Sequence, residues 1–371
     1  MIAGGYDTGS SASPDPAANG TGKVHAARGP ARDARLPPRV IETVEVAPGI
    51  SAIDTRMAGR AKVTSAYLLH ADQPALIETG PTTSVEAVVG GLESLGLGPE
   101  DLAHIIVTHI HLDHAGGVGR LAARFPRARV WVHDRGAPHL ANPTKLVKSA
   151  GRVYGEERLR ELFGPVDPTA PDRLSAVSEG DRVSLGNRDV DVMYTPGHAS
   201  HHISLIDSAT GALFTGDALG IHLPDVGVLR PATPPPDVDV ELSVTSIERI
   251  KTRTRSVLMF SHYGPVEQTE ELCDIAISRL RKWAGIVREA MEGTSELDRI
   301  AQILTERTAS EFDSAREGAD QLDRYDLLAD MRINAAGLVR YWEKRSQRDS
   351  AQGDEGTSSR DAEPGTQRLT G

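Results

Sequence analysis

The sequence lacks several features that define whole classes of protein. It has a single cysteine in 371 residues, Cys273, so neither an intrachain disulfide nor a zinc site built from thiolates can form. It has no run of about 20 apolar residues of the kind that crosses a membrane as a helix. The first 38 residues lack the apolar core of a signal peptide. These absences predict a cytoplasmic protein that does not associate with a membrane.

An excess of positive charge is also missing. Lys and Arg number 41 against 52 Asp and Glu, which gives a formal net charge of −11. A nucleic-acid-binding protein needs a basic face for its phosphate contacts. The expected partner is therefore a small-molecule substrate rather than a nucleic acid, and a homodimer stays open.

Composition along the chain predicts four segments. Residues 1–38 and 346–371 are rich in small and polar residues, and both are predicted to be disordered. Between them, strand-like and helical patterns alternate over residues 39–268, and a helical region follows over 269–345. Alternation of this kind predicts an α+β domain in which two β-sheets pack face to face with helices outside.

The strongest local motif is THIHLDHAGG, which runs from Thr108 to Gly117 after the apolar segment HIIV. In an extended segment, residues two apart point to the same side, so His109 and His111 can bind one metal ion together. Asp113 and His114 lie past the turn, where the chain changes direction, and can face a second ion.

Three further fragments have the same form, an apolar run that ends in a metal-ligand residue. They are MYTPGHASHH with His198, LFTGDALG with Asp217, and LMFSHYGP with His262. Imidazole and carboxylate donors suit zinc, with iron or manganese as alternatives. The predicted ligands divide into a first set, a second set and a bridge: His109, His111 and His198; Asp113, His114 and His262; and Asp217.

In this order, the four fragments resemble the metallo-β-lactamase superfamily, over about residues 41–268. The resemblance implies a four-layer αββα sandwich over residues 39–268, with the C-terminal helices as an appendage. It also implies that the matching residues are the metal ligands assigned above. Generic bacterial hydrolases with PGHASHH and GDALG motifs are the most similar subgroup, and they share no single established substrate.

The implied activity is hydrolysis of a small ester, thioester or lactone by a hydroxide that bridges two divalent metal ions. Asp113 would orient that hydroxide or shuttle its proton, or would serve as a ligand only. Two other functions stay open for this fold. One is an iron-dependent oxygenase similar to sulfur dioxygenases, and the other is a non-catalytic binding protein.

The sequence departs from the superfamily pattern in three places, two of which bear on the substrate. Glu78, in LIETG, stands where the family usually has an aspartate that orients the ligands. Gly220 stands where the lactonases have a tyrosine, three residues after the bridging aspartate. The Gly-Cys-Gly-Arg-like stretch of the glutathione thioesterases is missing after the GD motif. Gly220 weakens an assignment as a lactonase, and the missing stretch weakens an assignment as a glutathione thioesterase.

Two further sets of candidate residues lie outside the metal motif. His222, five residues after Asp217, is a candidate acid or a residue that supports a ligand, or simply an exposed loop histidine. Lys145, Lys148 and Arg152 share one face of a predicted helix. Together with Tyr154 they are candidates to receive a substrate carboxylate or phosphate, although such charges are more often a solvated helix face.

Overall fold

The structure is a computed structural model, and it describes residues 42–267, 269–313 and 319–358. The predicted disordered segment over residues 1–38 and the last part of the predicted tail, residues 359–371, lie outside the described residues. Among the described residues, no helix combines the length and the apolar character needed to cross a membrane.

Seven strands form the first sheet, and they are arranged in chain order. The first four pair antiparallel and the last four pair parallel, with β4 common to both groups. The strands are β1 (Thr43–Ala47), β2 (Ile50–Asp54), β3 (Ser65–Leu69), β4 (Ala75–Ile77), β5 (His104–Ile106), β6 (Arg129–His133) and β7 (Leu174–Val177).

The second sheet has six strands in the order β15-β14-β11-β10-β9-β8, and a separate two-stranded ribbon pairs β12 with β13. Within the second sheet, β11 and β14 run parallel. The strands are β8 (Arg182–Ser184), β9 (Asp189–Tyr194), β10 (Ile203–Asp207), β11 (Leu213–Gly216), β12 (Ile221–Leu223), β13 (Val228–Arg230), β14 (Leu258–Phe260) and β15 (Gly264–Val266).

Helices connect and cover the two sheets. Those within the predicted domain are α1 (Val85–Ser94), α2 (Leu112–Ala115), α3 (Val118–Arg124), α4 (Ala137–Ala141), α5 (Thr144–Tyr154), α6 (Glu156–Phe163) and α7 (Val240–Arg253). Those that follow it are α8 (Thr269–Gly293), α9 (Leu297–Thr308), α10 (Ala319–Ala329) and α11 (Met331–Ser358).

The side chains of each strand alternate between two apolar layers. In β3, Tyr67 and Leu69 pack between the sheets against residues such as Phe214 of the second sheet, whereas Ala66 and Leu68 face α1 and α3. The outer face of the second sheet packs against α7, α8, α9 and α11 in a third apolar cluster. The predicted four-layer αββα sandwich with C-terminal helices is confirmed.

The last helix continues past the position where the sequence predicts disorder. α11 runs to Ser358, whereas the predicted tail begins at residue 346. Arg345 of α11 forms an ion pair with Glu241 of α7 at 2.9 Å, which ties this part of the helix to the domain. Residues 346–352, SQRDSAQ, are polar but contain no glycine or proline, so nothing in them interrupts a helix that has already formed.

One face of α11 holds a loop of three consecutive prolines, Pro234–Pro236. The Thr233 amide donates to Asn334 Oδ1 at 2.7 Å, and the Thr233 hydroxyl donates to the Asn334 carbonyl oxygen at 3.1 Å. Further along the helix, Arg340 Nε and Lys344 Nζ donate to the Pro236 carbonyl oxygen at 3.2 and 2.7 Å. The C-terminal helices therefore fix the position of this proline loop.

Gly337 allows this close approach, because a β-carbon there would overlap the carbonyl oxygen of Thr233. We expect Gly337→Ala to lower the free energy of unfolding by about 1–3 kcal/mol, since backbone must move to relieve the overlap. Urea denaturation measures the change. Gly285→Ala in α8 is the matched control, because a β-carbon there meets nothing within 4 Å. Equal stability of the two variants would contradict the contact.

Candidate metal centre

The seven predicted ligands lie together where strands of both sheets end. His109 and His111 follow β5, and Asp113 and His114 lie in the short helix α2. His198, Asp217 and His262 follow β9, β11 and β14, whose carboxyl ends meet at one edge of the second sheet. β11 and β14 are buried along their whole length, and β9 alternates between half-buried and buried residues. In each case the ligand-type residue comes where the backbone leaves the sheet.

The first predicted set converges through its ring nitrogens. His111 Nδ1 lies 3.1 Å from His109 Nε2 and 2.9 Å from His198 Nε2. One ligand atom from each residue lies within 4.8 Å of the other two. Three imidazole nitrogens at these separations can share one cation.

The second predicted set is equally compact. His114 Nε2 and His262 Nε2 are 3.1 Å apart. Asp113 Oδ2 lies 3.6 Å from the first nitrogen and 3.5 Å from the second. Two imidazoles and one carboxylate form a donor set that zinc, iron and manganese all accept.

Asp217 lies between the two sets and offers one oxygen to each. Its Oδ2 is 3.5 Å from His198 Nε2, and its Oδ1 is 3.3 Å from His114 Nε2 and 3.2 Å from His262 Nε2. Oδ1 is buried and has no hydrogen-bond partner among the described residues. A buried carboxylate oxygen without a hydrogen bond is unfavourable, and a bound cation would satisfy it. The residues present therefore fit a pair of metal ions.

Hydrogen bonds set the tautomers of four of the five histidines. His198 Nδ1 donates to the Ala232 carbonyl at 2.9 Å, and His262 Nδ1 donates to the Val63 carbonyl at 3.2 Å. His109 and His114 are oriented through Glu78, as described next. In all four residues this leaves Nε2 with its lone pair directed at the site, whereas His111 directs Nδ1.

Glu78 is the buried carboxylate that links three parts of this site. Its Oε1 accepts hydrogen bonds from the Thr108 hydroxyl at 2.5 Å, from the Ser261 hydroxyl at 3.1 Å and from His114 Nδ1 at 3.3 Å. Because the Thr108 hydrogen is donated to Glu78, its oxygen is free to accept from His109 Nδ1 at 3.0 Å. A glutamate therefore performs the orienting task expected of an aspartate at this position.

The pKa values of the first set favour neutral rings. Burial, together with the neighbouring imidazoles, lowers the pKa of His109 and of His111 well below the ordinary value. Burial also lowers the pKa of His198, although Asp217 opposes it. A neutral imidazole is the form that binds a metal ion.

The second set behaves differently because it contains the carboxylates. Burial would lower the pKa of His262, but Asp217 and Asp113 outweigh it and raise that pKa to about 9. Burial would likewise raise the pKa of Asp113, but His114 and His262 lower it to about 2. Bound cations would replace these protons, since metal binding requires deprotonated ligands.

His201 and His202, which follow the loop that carries His198, contact residues of the metal site. His202 Nε2 accepts a hydrogen bond from the Asp217 amide at 3.0 Å, and its Nδ1 donates to the Thr195 hydroxyl at 2.8 Å. His201 Nδ1 accepts weakly from the Ile110 amide at 3.4 Å. Sequence reasoning did not place either residue in the candidate site. The signal for His202 was its position two residues beyond the GHAS loop, just before β10.

His222 lies outside this cluster. Its backbone pairs with His262, since the His222 amide donates to the His262 carbonyl at 2.8 Å. Its ring, however, packs near Phe260, with ring centres 5.5 Å apart, and lines a separate cavity of about 1000 Å³ together with Glu267 and Glu271. Burial and Arg279 lower the pKa of His222 to about 4. The structure does not bring this candidate acid into the metal centre.

The four candidate substrate residues divide between the two faces of α5. Lys145, Lys148 and Arg152 are exposed and are not among the residues that line the cavity beside the metal centre. Tyr154 does line it, and its hydroxyl donates to the Leu328 carbonyl of α10 at 3.2 Å. The structure therefore brings one of the four to the site.

A cavity of about 90 Å³ opens directly beside His111 and Asp113. One wall is α5 and the other is the proline loop that α11 holds. Besides His111, Asp113 and Tyr154, its lining residues are Leu112, Leu146, Ser149, Ala150, Val153, Pro234, Pro235 and Pro236. The spacing of Leu146, Ala150 and Val153 was the signal for this wall, because residues four and three apart share a helix face.

We expect Glu78→Gln to weaken metal binding by about 10–100-fold, the usual effect of losing a partner that orients ligands. The amide keeps the size of the side chain but removes the charge that accepts from His114. Metal titration by isothermal calorimetry measures the effect. Glu86→Gln, an exposed position in α1, is the control, and unchanged affinity in both variants would contradict the role of Glu78.

Comparison with known proteins identifies the family. The family model of the metallo-beta-lactamase superfamily matches residues 59–262, and the chain belongs to this superfamily. Members are mostly hydrolases, and the fold generally binds divalent metals.

The most informative relatives match part of the chain. A metallo-beta-lactamase fold-containing protein of Sulfurisphaera tokodaii is 32% identical over 171 residues, which cover 45% of this chain and 62% of that protein. A hydroxyacylglutathione hydrolase of Trichodesmium erythraeum is 30% identical over 196 residues, 51% of this chain and 61% of that enzyme. The chain thus spans less than two thirds of the length of either relative.

A solved structure is similar in fold over a larger share of the chain. A metallo-beta-lactamase family protein of Thermus thermophilus superposes with a TM-score of 0.58 at 18% identity, and the match covers 81% of this chain and 95% of that protein.

Proposed function

We propose that the protein is a dinuclear metal hydrolase that cleaves a small ester, thioester or lactone. The observation that carries the proposal is the position of Asp217, whose two oxygens face the two histidine sets separately. A carboxylate placed in this way suits a pair of cations better than a single one. Two bound cations would acidify a water molecule and polarise the carbonyl of the substrate.

The chain's own residues would prepare the reaction in three ways. Four of the five histidines are held in the tautomer that directs a lone pair at the site. Asp113 lies beside the second set and at the edge of the cavity, so we assign it as a ligand that also orients the attacking water. The cavity wall would hold the substrate next to Asp113.

The names of the relatives favour a thioester or ester bond. Several relatives that match in part, at about 30% identity, are named hydroxyacylglutathione hydrolase. The substrate itself is a separate question, because this chain lacks the Gly-Cys-Gly-Arg-like stretch of glutathione thioesterases.

Metal content followed by a substrate panel tests the proposal. We expect about two equivalents of zinc per chain by elemental analysis, and chelator-sensitive hydrolysis of neutral thioesters, aryl esters or lactones. Two equivalents of iron or manganese per chain would change the assignment of the metal and leave the proposed hydrolase activity unchanged. One iron per chain with oxygen consumption would instead identify an oxygenase, and a metal-free protein without turnover would identify a binding protein.

A further inference from the structure

The cavity beside Asp113 has a composition that selects among substrates. The side chains that α5 and the proline loop contribute, apart from Tyr154 and the small Ser149, are all aliphatic or proline. Among the described residues, no Lys or Arg lines it. Two basic side chains next to the proline loop, Arg340 and Lys344, donate to the Pro236 carbonyl oxygen. Arg158, whose guanidinium lies 5.8 Å from the centre of the Tyr154 ring, pairs with Asp330 at 2.9 Å.

We propose that this cavity binds a short, uncharged aliphatic acyl group, so that the substrates are short-chain acyl esters or thioesters. The inference rests on the proposed function, since it places the acyl group next to the metal centre. It differs from the sequence-based hypothesis that Lys145, Lys148 and Arg152 receive a carboxylate or phosphate.

The chemistry of the wall explains the preference for an uncharged group. A carboxylate moved from water into this cavity would lose hydration without gaining a Lys or Arg partner from α5 or the proline loop, which is unfavourable. An aliphatic group instead removes apolar surface from water.

The size of the cavity sets the length of the group. A dry cavity of roughly 150 Å³ holds benzene, and this cavity has about 90 Å³. On that scale, about three or four carbon atoms fit. The side chains of α5 that line it are half-buried and Pro236 is exposed, so the rest of the substrate can extend into solvent past the proline loop.

Binding of hydroxamic acids to the metal-loaded protein tests the inference without turnover. Butanehydroxamic acid and succinic monohydroxamic acid share a metal-binding head group and a chain of the same length, and only the second carries a carboxylate. By isothermal calorimetry we expect the butane compound to bind at least about 100-fold more tightly. Equal affinity, or tighter binding of the succinic compound, would overturn the inference.

Turnover and a variant provide the second arm. With thioesters of a neutral thiol, we expect butyryl to exceed succinyl by about the same factor in kcat/KM. Ala150→Leu, which fills the cavity, should shift the preference from butyryl to acetyl by at least about tenfold. Glu157→Ala, at an exposed position of α6, is the control and should not shift it. An unshifted preference in a folded Ala150→Leu would count against the inference.

The two proposals fail in different ways. Preferential binding of butanehydroxamic acid without hydrolysis of any ester, thioester or lactone would overturn the proposed function and support the cavity assignment. Hydrolysis that prefers succinyl, and that is lowered by removing Lys145 and Lys148, would support the function and overturn the cavity assignment.

Discussion

Asp217→Ala should abolish hydrolysis while leaving the fold intact. The substitution removes a carboxylate whose two oxygens face the two histidine sets separately, so we expect the metal content to fall from two equivalents to at most one. We expect kcat/KM to fall by at least about 1,000-fold, which corresponds to a barrier increase of roughly 4 kcal/mol. His111→Ala should have a similar effect on activity through the first set.

Elemental analysis and steady-state kinetics on the same preparation measure both changes. The circular dichroism spectrum reports whether the variant has folded. Asp172→Asn, an exposed aspartate before β7, should retain both metals and full activity. Full turnover by Asp217→Ala with two bound metals would rule out the bridging role.

Arg188→Met is expected to destabilise the protein by about 3–5 kcal/mol, the usual cost of leaving a buried charge without its partner. Arg188 and Asp207 form an ion pair at 2.5 Å whose side chains are 5% and 0% exposed. Arg188 Nη1 also donates to the carbonyls of Gly49 and His70 at 2.9 and 3.2 Å. The residue therefore ties the first sheet to the second, and its loss leaves the Asp207 carboxylate buried.

The pH dependence gives this prediction a second readout. Burial would raise the pKa of Asp207, but Arg188 and Thr210 outweigh burial and lower it. A carboxyl whose folded pKa lies below its unfolded value contributes stability above the unfolded value, about 3.9, and loses it as the pH falls through the folded value. The stability difference between the natural chain and Arg188→Met should therefore be constant near neutral pH and shrink at lower pH.

A double variant separates the charge from the packing. Arg188→Met combined with Asp207→Leu removes both charges, and we expect it to recover part of the lost stability, because a buried pair can often be replaced by apolar residues. Urea denaturation of the three proteins measures the recovery. A double variant less stable than Arg188→Met would show that the pair acts through geometry rather than charge.

The alternation of strand-like and helical segments was sufficient to predict two packed sheets with helices outside. The resemblance to the superfamily implied the four-layer sandwich. Apolar segments that end in His109, Asp217 or His262 indicate strands that lead into loops, and strand ends on one sheet edge must lie near one another. The helix α5 was predicted from residues spaced three and four apart. Local patterns predict strands and helices because these elements depend on neighbours along the chain.

The parts that could not be predicted depend on contacts between distant residues. Glu78 was recognised as a departure from the family, but its donors are distant along the chain: Thr108 and His114 belong to the metal motif, and Ser261 follows β14. Its backbone φ of 65° is also rare for a residue other than glycine. On α5, both a basic stripe and an apolar stripe were visible, and the basic one drew the functional hypothesis. The apolar stripe lines the cavity, as expected for the side of an amphipathic helix that faces protein.

The candidate metal ligands and the helix that holds the proline loop, α11, lie in different parts of the chain. The candidate metal ligands all come before residue 263. Asn334, Arg340 and Lys344, which hold the proline loop at one wall of the cavity, lie about a hundred residues after that loop. Changes at Arg340 and Lys344 would reshape the opening, whereas Asn334 also supports the metal site, because it holds Thr233 next to the Ala232 carbonyl that orients His198. Helix α11 is thus a natural place to alter the shape of this opening.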